Sequence, residues 1–333
     1  MQTTDLTLVT EANAWKGADF SKDPQWAIHL NPQQVSELLG AANRCIEQKI
    51  GEVNIQYKDF VLPTLANEIK HWAHEINQGR GFLLIQGLPQ SLTDEQIRTI
   101  FWGIGVHMGH PISQNSYGEM LGEVLDEGVK MGSGKVRGYR TNQQLMFHTD
   151  RCEIVGLLCQ RQAQSGGLSS IVSSTRIYNE IATHHPEFLG PLFNGYICIN
   201  VEEGGDLSTY RMPVFSQHKG FISARILRNT VESARRMGYA KYNELETNAL
   251  ACLDTLANRE DMRMDMMLER GQMQFINNYT TLHARTEFVD FADPTLKRHM
   301  VRLWLTAKEE RRTVDPAIFK DYQGVEVSLQ RKK

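Results

Sequence analysis

The chain reads as a mainly β protein with flanking helices, built on a double-stranded β-helix (jelly-roll, cupin-like) core. Three observations point there. Helical periodicity is concentrated in the first third of the sequence. Many short strand-like runs, separated by turn residues, fill the rest. One helical stretch interrupts them.

Taken in order, residues 1–60 are polar and mixed and read as a peripheral N-terminal cap. Residues 61–333 read as a single domain with no evident internal boundary. Pro63 marks a helix start, after which Leu65, Ile69, Trp72, Ala73 and Ile76 recur at helical spacing up to Gly79. The apolar run between Gly81 and Gly87 reads as a short buried strand. A second helix opens at Leu92-Thr93-Asp94-Glu95 and runs to about Met108, with Ile97, Ile100, Phe101 and Ile104 inward. Residues 109–142 are rich in Gly, Ser and Asn, above all in Met131–Gly138, and read as a lid. Ile154–Gln160, Ser169–Ser174, Tyr196–Val201, Gly220–Ala224, Gln272–Ile276 and Arg298–Thr306 read as strands. Residues 242–258, with Asn243, Leu245, Leu250, Leu253 and Leu256, read as an inserted helix. The stretch Met262–Met273 reads as packing.

Bulk properties narrow the function. With 333 residues, 41% apolar and 23% charged, the chain can bury a sizeable core. Its 36 basic and 39 acidic residues leave a formal net charge of −3. No field of one sign argues for nucleic acid or an anionic membrane. Apolar runs are too short to span a bilayer, and the N-terminus shows no signal pattern. Five cysteines without a Cys-x-x-Cys pair argue against a disulfide framework and a structural zinc site. A cytoplasmic protein acting on a small molecule is expected, and a homo-oligomer is compatible with the sequence.

His148-Thr149-Asp150 would place an imidazole and a carboxylate on one side of a strand, because residues i and i+2 project together. Alone this says little. Among 11 histidines such a pair arises about once by chance, and His148 equally fits a hydrogen-bonded strand end. A second such pair, His185-Pro186-Glu187, fits a helix-terminus turn instead. His283, read as following a strand and a turn and preceding a loop, raises the odds of a metal site. Two imidazoles and one carboxylate occupy one face of an octahedral ion and leave three positions open. In the strand from Arg298, residues Arg298, Met300, Arg302 and Trp304 share one face, and Val301, Leu303 and Leu305 the other. An arginine entering a barrel is costly unless it meets an anion, which a dicarboxylate would supply. A structural ion pair is the alternative, above all for Arg302.

The ordered set resembles the taurine dioxygenase (TauD/TfdA) family of Fe(II)- and 2-oxoglutarate-dependent oxygenases over roughly residues 80–306. The residues that carry it are His148/Asp150, Gly166-Gly167-Leu168-Ser169, the stretch from Asn278 to Leu282-His283-Ala284-Arg285, and Arg298/Arg302. The resemblance implies that His148, Asp150 and His283 bind Fe(II). It implies that Arg298 pairs with the distal carboxylate of 2-oxoglutarate and that Ser169 hydrogen-bonds the same group. The family usually carries Gly-Gly-Asp/Glu-Thr at that motif, and Ser170 is the alternative to Ser169. Arg302 is implied as a contact for a substrate anion. The implied reaction consumes O2, hydroxylates an unactivated C–H bond of a small polar or amino-acid-like metabolite, and releases succinate and CO2. The intact carboxylate of Asp150 favours hydroxylation, desaturation or ring chemistry over halogenation. Gln114, Asn115, Tyr117 and Arg140, with Tyr210 and Arg211 in a loop after Glu202–Gly205, are candidate substrate-lining residues. Two other readings stay open: a cupin-type metalloenzyme that makes no use of 2-oxoglutarate, and a binding module whose histidines are structural. A nucleic-acid demethylase would share the iron site, but the acidic balance counts against it.

Overall fold

A computed structural model describes residues 7–20, 26–129, 140–200, 207–308 and 311–329. Two sheets face each other. The larger follows the order β1 (Ala27–His29), β2 (Phe82–Gln86), β14 (Met273–Asn277), β6 (Ile154–Arg161), β17 (His299–Ala307), β3 (Gly109–Pro111), and β4 (Leu121–Val124) also pairs with β17. The smaller follows β13 (Arg263–Met266), β8 (Ser169–Ser173), β15 (Thr281–Arg285), β5 (Leu145–His148). Three two-stranded pairs complete the set: β7 (Ser165–Gly166) with β16 (Phe288–Val289), β9 (Tyr196–Asn200) with β10 (Ser208–Met212), and β11 (Phe215–His218) with β12 (Phe221–Ala224). This is the expected double-stranded β-helix with flanking helices.

Alternation along the strands builds two surfaces at once. On β17, Val301, Leu303 and Leu305 join Leu83, Ile85 and Phe275 under a layer of helices. Met300 and Trp304 point the other way and join Phe82, Leu84 and Ile171 between the sheets. The helical layer comprises α1 (Pro32–Glu47), α2 (Leu65–Asn77) and α3 (Asp94–Met108). Asn31 with Gln34, and Thr93 with Gln96, close reciprocal capping boxes on α1 and α3. For α2, Glu37 of α1 accepts from the backbone N–H groups of Thr64 and Leu65 at 2.8 and 2.9 Å. A carboxylate thus sits where the helix dipole favours it. The outer face of the smaller sheet is covered by α4 (Ser174–His184), α5 (Leu189–Asn194) and α7 (Glu244–Asn258), while α6 (Arg228–Arg236) lies against β9 and β5.

Several local expectations are corrected. The N-terminal segment is not peripheral over residues 26–60. Ala27–His29 adds a parallel edge strand to β2, and Leu38, Ala41 and Ala42 of α1 are 0% exposed in the main core. Its polar composition misleads because one narrow, partly alanine face is enough to bury the helix. Within residues 109–142, read as a lid, Gly109–Pro111 and Leu121–Val124 are strands: β3 and β4 extend the larger sheet beyond β17, and strands of three and four residues hide easily among Gly, Ser and Asn. Met131–Gly138, Val201 and Glu202–Gly205 lie outside the described residues. Tyr210 and Arg211 sit in strand β10, not a loop, and His283 sits within β15. Leu245 is 44% exposed, because α7 starts only after the Asn243 cap and turns Ala249, Leu250, Leu253 and Leu256 inward. The methionine-rich stretch contains strand β13, with Met264 and Met266 buried against the inter-sheet core. No described helix is long and apolar enough to cross a membrane.

If α1 belongs to the core, Leu38→Ala should cost about 2–5 kcal/mol of unfolding free energy in denaturant titration. A peripheral residue would change it by less than about 0.5 kcal/mol.

Candidate metal centre and co-substrate pocket

The smaller sheet brings the first two candidate ligands together. In the β15–β5 ladder His283 lies directly opposite His148, with a bulge just beyond it. The two imidazole centroids are 4.1 Å apart. Asp150 comes from the turn that follows β5. Ligand atoms of His148, Asp150 and His283 all lie within 4.8 Å of one another. Thr149 points away, 1% exposed, and exchanges hydrogen bonds with the backbone of Ile226. The i/i+2 reasoning therefore holds for the directions of the side chains, although the strand stops at His148.

Each candidate ligand is prepared by its neighbours. Nδ1 of His148 donates to the carbonyl of Met146 at 2.8 Å, which leaves Nε2 as the lone pair. Nε2 of His283 stands 3.8 Å from Oδ2 of Asp150, and its Nδ1 is buried without a hydrogen-bond partner. Burial, first, and then the proximity of His148 push the His283 imidazole down to about 3, so it stays neutral and free to donate a lone pair. Burial works to raise Asp150, but the charge of Arg302 leads a set of opposing contacts that bring it down to about 2. Those contacts are visible in the geometry. Arg302 Nη1 reaches the two carboxylate oxygens at 3.3 and 3.2 Å, and the Trp304 indole N–H donates to Oδ2 at 3.0 Å. Asn278 holds the backbone of the same turn: its side chain accepts from Asp150 N at 3.0 Å and donates to Cys152 O at 2.8 Å.

The triad opens onto a cavity of about 420 Å³, which also reaches Arg298, Ser169 and Gln274. Arg298 is 5% exposed, its guanidinium carbon lies 5.0 Å from the centroid of the Phe288 ring, and its Nη1 has no hydrogen-bond partner. Burial brings its pKa down to about 10, the behaviour of a cation short of a counter-ion. The Gly-Gly pair makes this placement feasible. Gly166 and Gly167 both have positive φ; a Cβ on the first would lie 2.2 Å from Glu287 O, and on the second 3.1 Å from Arg298 Nε. Ser169 faces the cavity, with its hydroxyl 3.5 Å from Gln274 Oε1. Ser170 faces the other side of β8 and donates to Asp265 at 2.6 Å, so it does not stand in for Ser169.

Other expected positions separate. Arg302 lines the cavity, yet its guanidinium is engaged with Asp150 and with Gln114 at 2.9 Å. The ion-pair alternative describes it in this state. Tyr210 lines the cavity, whereas Asn115, Tyr117, Arg140 and Arg211 do not. Arg140 pairs with Glu127 and Arg211 with the carbonyl of Gly195. His185, of the second His-x-carboxylate pair, caps the end of α4. Sequence reasoning gave no role to Asn278, Trp304 or Gln274. A polar Gln274 between the apolar Met273 and Phe275 of β14 was the available signal.

A jelly roll that turns two imidazoles and a carboxylate onto a cavity with an under-partnered arginine defines a mononuclear-metal enzyme of the cupin-like type. The chain belongs to the taurine catabolism dioxygenase TauD, TfdA family, whose model matches residues 43–304. It is a 2-oxoglutarate-dependent non-haem iron oxygenase using Fe(II), 2-oxoglutarate and O2. It is 30% identical over 311 residues to FR-33289 synthase of Streptomyces rubellomurinus, covering 91% of each chain. To the taurine hydroxylase-like protein SAT17 of Stachybotrys chartarum it is 24% identical, covering 92% of this chain and 82% of the other. Its fold is similar to that of an asparagine oxygenase solved with Fe(II), 2S,3S-3-hydroxyasparagine and succinate (TM-score 0.68, 16% identity, 91% of this chain and 100% of that one). It is also similar to the oxygenase OrfP, solved with Fe, succinate and (3S)-hydroxy-L-Arg (TM-score 0.60, 11% identity, 84% and 94% of the two chains).

Asn278→Ala should cost about 1–3 kcal/mol, since it strips partners from the buried Asp150 turn, and should weaken Fe(II) binding in an anaerobic titration. Arg302→Met should destabilise the metal-free protein by about 3–5 kcal/mol by leaving a buried carboxylate without its cationic partner. It should also change the acid limb. A carboxylate held down to about 2 contributes stability that is present above its ordinary value and lost as pH falls from about 4 to about 2. With Arg302 gone that window should flatten in pH-dependent denaturant titrations.

Proposed function

We propose that His148, Asp150 and His283 hold one ferrous ion, and that 2-oxoglutarate lies between it and Arg298, with Ser169 beside the distal carboxylate. The substrate is a small polar, amino-acid-like metabolite that enters the outer part of the cavity, toward Tyr210 and α6, and leaves hydroxylated. One observation carries this reading: three prepared ligands and an arginine with an unmet N–H share one cavity. The products bound in the two solved structures, hydroxylated amino acids with succinate, support the substrate class.

The residues fit the ion. Two neutral imidazoles and an ionised carboxylate give the two-histidine, one-carboxylate face suited to non-haem Fe(II). When bound, the ion couples oxidative decarboxylation of 2-oxoglutarate to succinate and CO2 with transfer of one oxygen atom of O2 to a substrate C–H bond. The protein supplies everything else. Met146 fixes the tautomer and rotation of His148. Arg302 and Trp304 hold Asp150 ionised and aimed. Arg298 provides a buried counter-charge for the distal carboxylate, worth more in a site sheltered from water than on the surface. Val155, Leu157 and Ile276 line the wall and exclude water from the reacting atoms.

The test is substrate-stimulated succinate release from a panel of polar and amino-acid metabolites. Asp150→Ala should abolish it and weaken iron binding. Arg298→Ala should raise the KM for 2-oxoglutarate about 10–100-fold, the loss of one buried charge-assisted contact of about 1.5–3 kcal/mol. An Arg298→Ala enzyme with unchanged kinetics would favour the cupin-type reaction without 2-oxoglutarate. Product mass separates hydroxylation from desaturation or ring closure.

A further inference from the structure

Two buried arginines of the cavity lining, Arg298 and Arg285, share the Phe288 ring. Arg285 follows His283 by two residues on β15 and pairs in register with Ser169 of β8, which places it beside the proposed distal-carboxylate site. It is 6% exposed. Its Nη2 donates to the carbonyls of Thr141, at 2.8 Å, and Gln143. Its Nε and Nη1 have no hydrogen-bond partner. Its guanidinium carbon lies 4.7 Å from the centroid of the Phe288 ring, the ring that also carries Arg298.

A structural arginine buried this deeply is ordinarily satisfied by a carboxylate or by several carbonyls. Here neither guanidinium forms an ion pair among the described residues. Asp290, an acid within electrostatic reach of both, accepts from the backbone N–H of Arg298 through one oxygen, and its other oxygen has no partner. Three guanidinium nitrogens on two adjacent cations are therefore left without an acceptor. One carboxylate on Arg298 alone would leave the second cation uncompensated.

We propose that Arg285 is a second, charge-selecting positioning residue of the co-substrate site: with Arg298 it favours a doubly charged 2-oxoacid over a singly charged one. This rests on the co-substrate reading above. The link from Nη2 to Thr141 and Gln143 adds a mechanical consequence. Those carbonyls lie just before β5, the strand that ends in His148, so the same side chain ties the co-substrate end of the cavity to the approach to the metal ligand.

The experiment uses the full chain loaded anaerobically with Fe(II) and titrated with either 2-oxoglutarate or 2-oxobutyrate. The two share the chelating end and differ by the distal carboxylate. Binding is read from the visible iron-to-oxoacid charge-transfer band. Arg285→Gln should weaken 2-oxoglutarate about tenfold or more and 2-oxobutyrate by less than about twofold, the scale of a lost charge contact. Arg285→Lys should keep most of the preference. A folded glutamine variant that weakens both oxoacids alike, or neither, overturns the proposal. If the glutamine variant does not fold, the lysine variant decides: a preserved preference for the dicarboxylate supports it, and a lost one overturns it. A wild-type protein that shows no preference for 2-oxoglutarate would overturn the co-substrate reading itself, a result distinct from failure at Arg285 alone.

Discussion

The cross-strand pairing of His283 with His148 is the constraint on which the site depends. These residues are 135 positions apart in the chain, and only the β15–β5 ladder makes them neighbours. Because side chains alternate with a period of two, a slip of one residue in either strand would turn one imidazole out of the cavity. The register is fixed from both sides. β8 pairs with the other edge of β15 over all five of its residues, and the Asn278 side chain holds the Asp150 turn to the start of the same hairpin arm. The architecture thus brings the three side chains together by register alone, with no ion needed to gather them.

Charge follows a different logic from packing here. Inside the inter-sheet core most neighbours of the site are apolar, so an ionised group there must be compensated. Asp150 is compensated twice over, by Arg302 and by the Trp304 indole. Arg298 and Arg285 form no direct ion pair among the described residues and feel only more distant carboxylates, Asp290 for both and Asp126 for Arg285. That asymmetry separates the two ends of the cavity: one end holds its negative charge in place with protein partners, and the other keeps positive charge in reserve. A dicarboxylate co-substrate would match the second end in sign.

Much of this was legible in the sequence, and the failures have physical causes. The alternation of Arg298, Met300, Arg302 and Trp304 against Val301, Leu303 and Leu305 reports the two faces of β17 correctly, because period two is the strongest signal a strand emits. The candidate ligands also converge as read, since polar residues in strands that should be buried stand out. The signal weakens where a segment's partners are distant. Residues 109–124 look like a loop because the strands are short, and they are held by β17, about 180 residues later. Residues 27–47 look peripheral because Ala41 and Ala42 bury a face without raising hydrophobicity much. Arg302 was read both as a substrate contact and as half of an ion pair; the sequence could not name Asp150 as the partner, because that pairing depends on a turn that no periodicity marks. Arg285 was visible as a letter in a motif, but its missing partners are a property of the fold alone.

The central claim, that one ferrous ion is held by three residues drawn together by sheet register, is tested most directly by a crystal structure of the anaerobic protein with Fe(II) and 2-oxoglutarate, using anomalous scattering at the iron edge. The account predicts a single iron peak within bonding distance of an imidazole nitrogen of His148, one of His283 and an oxygen of Asp150, with the three remaining positions facing the cavity. A peak that lacks any one of those three ligands, or that lies elsewhere in the molecule, would contradict it.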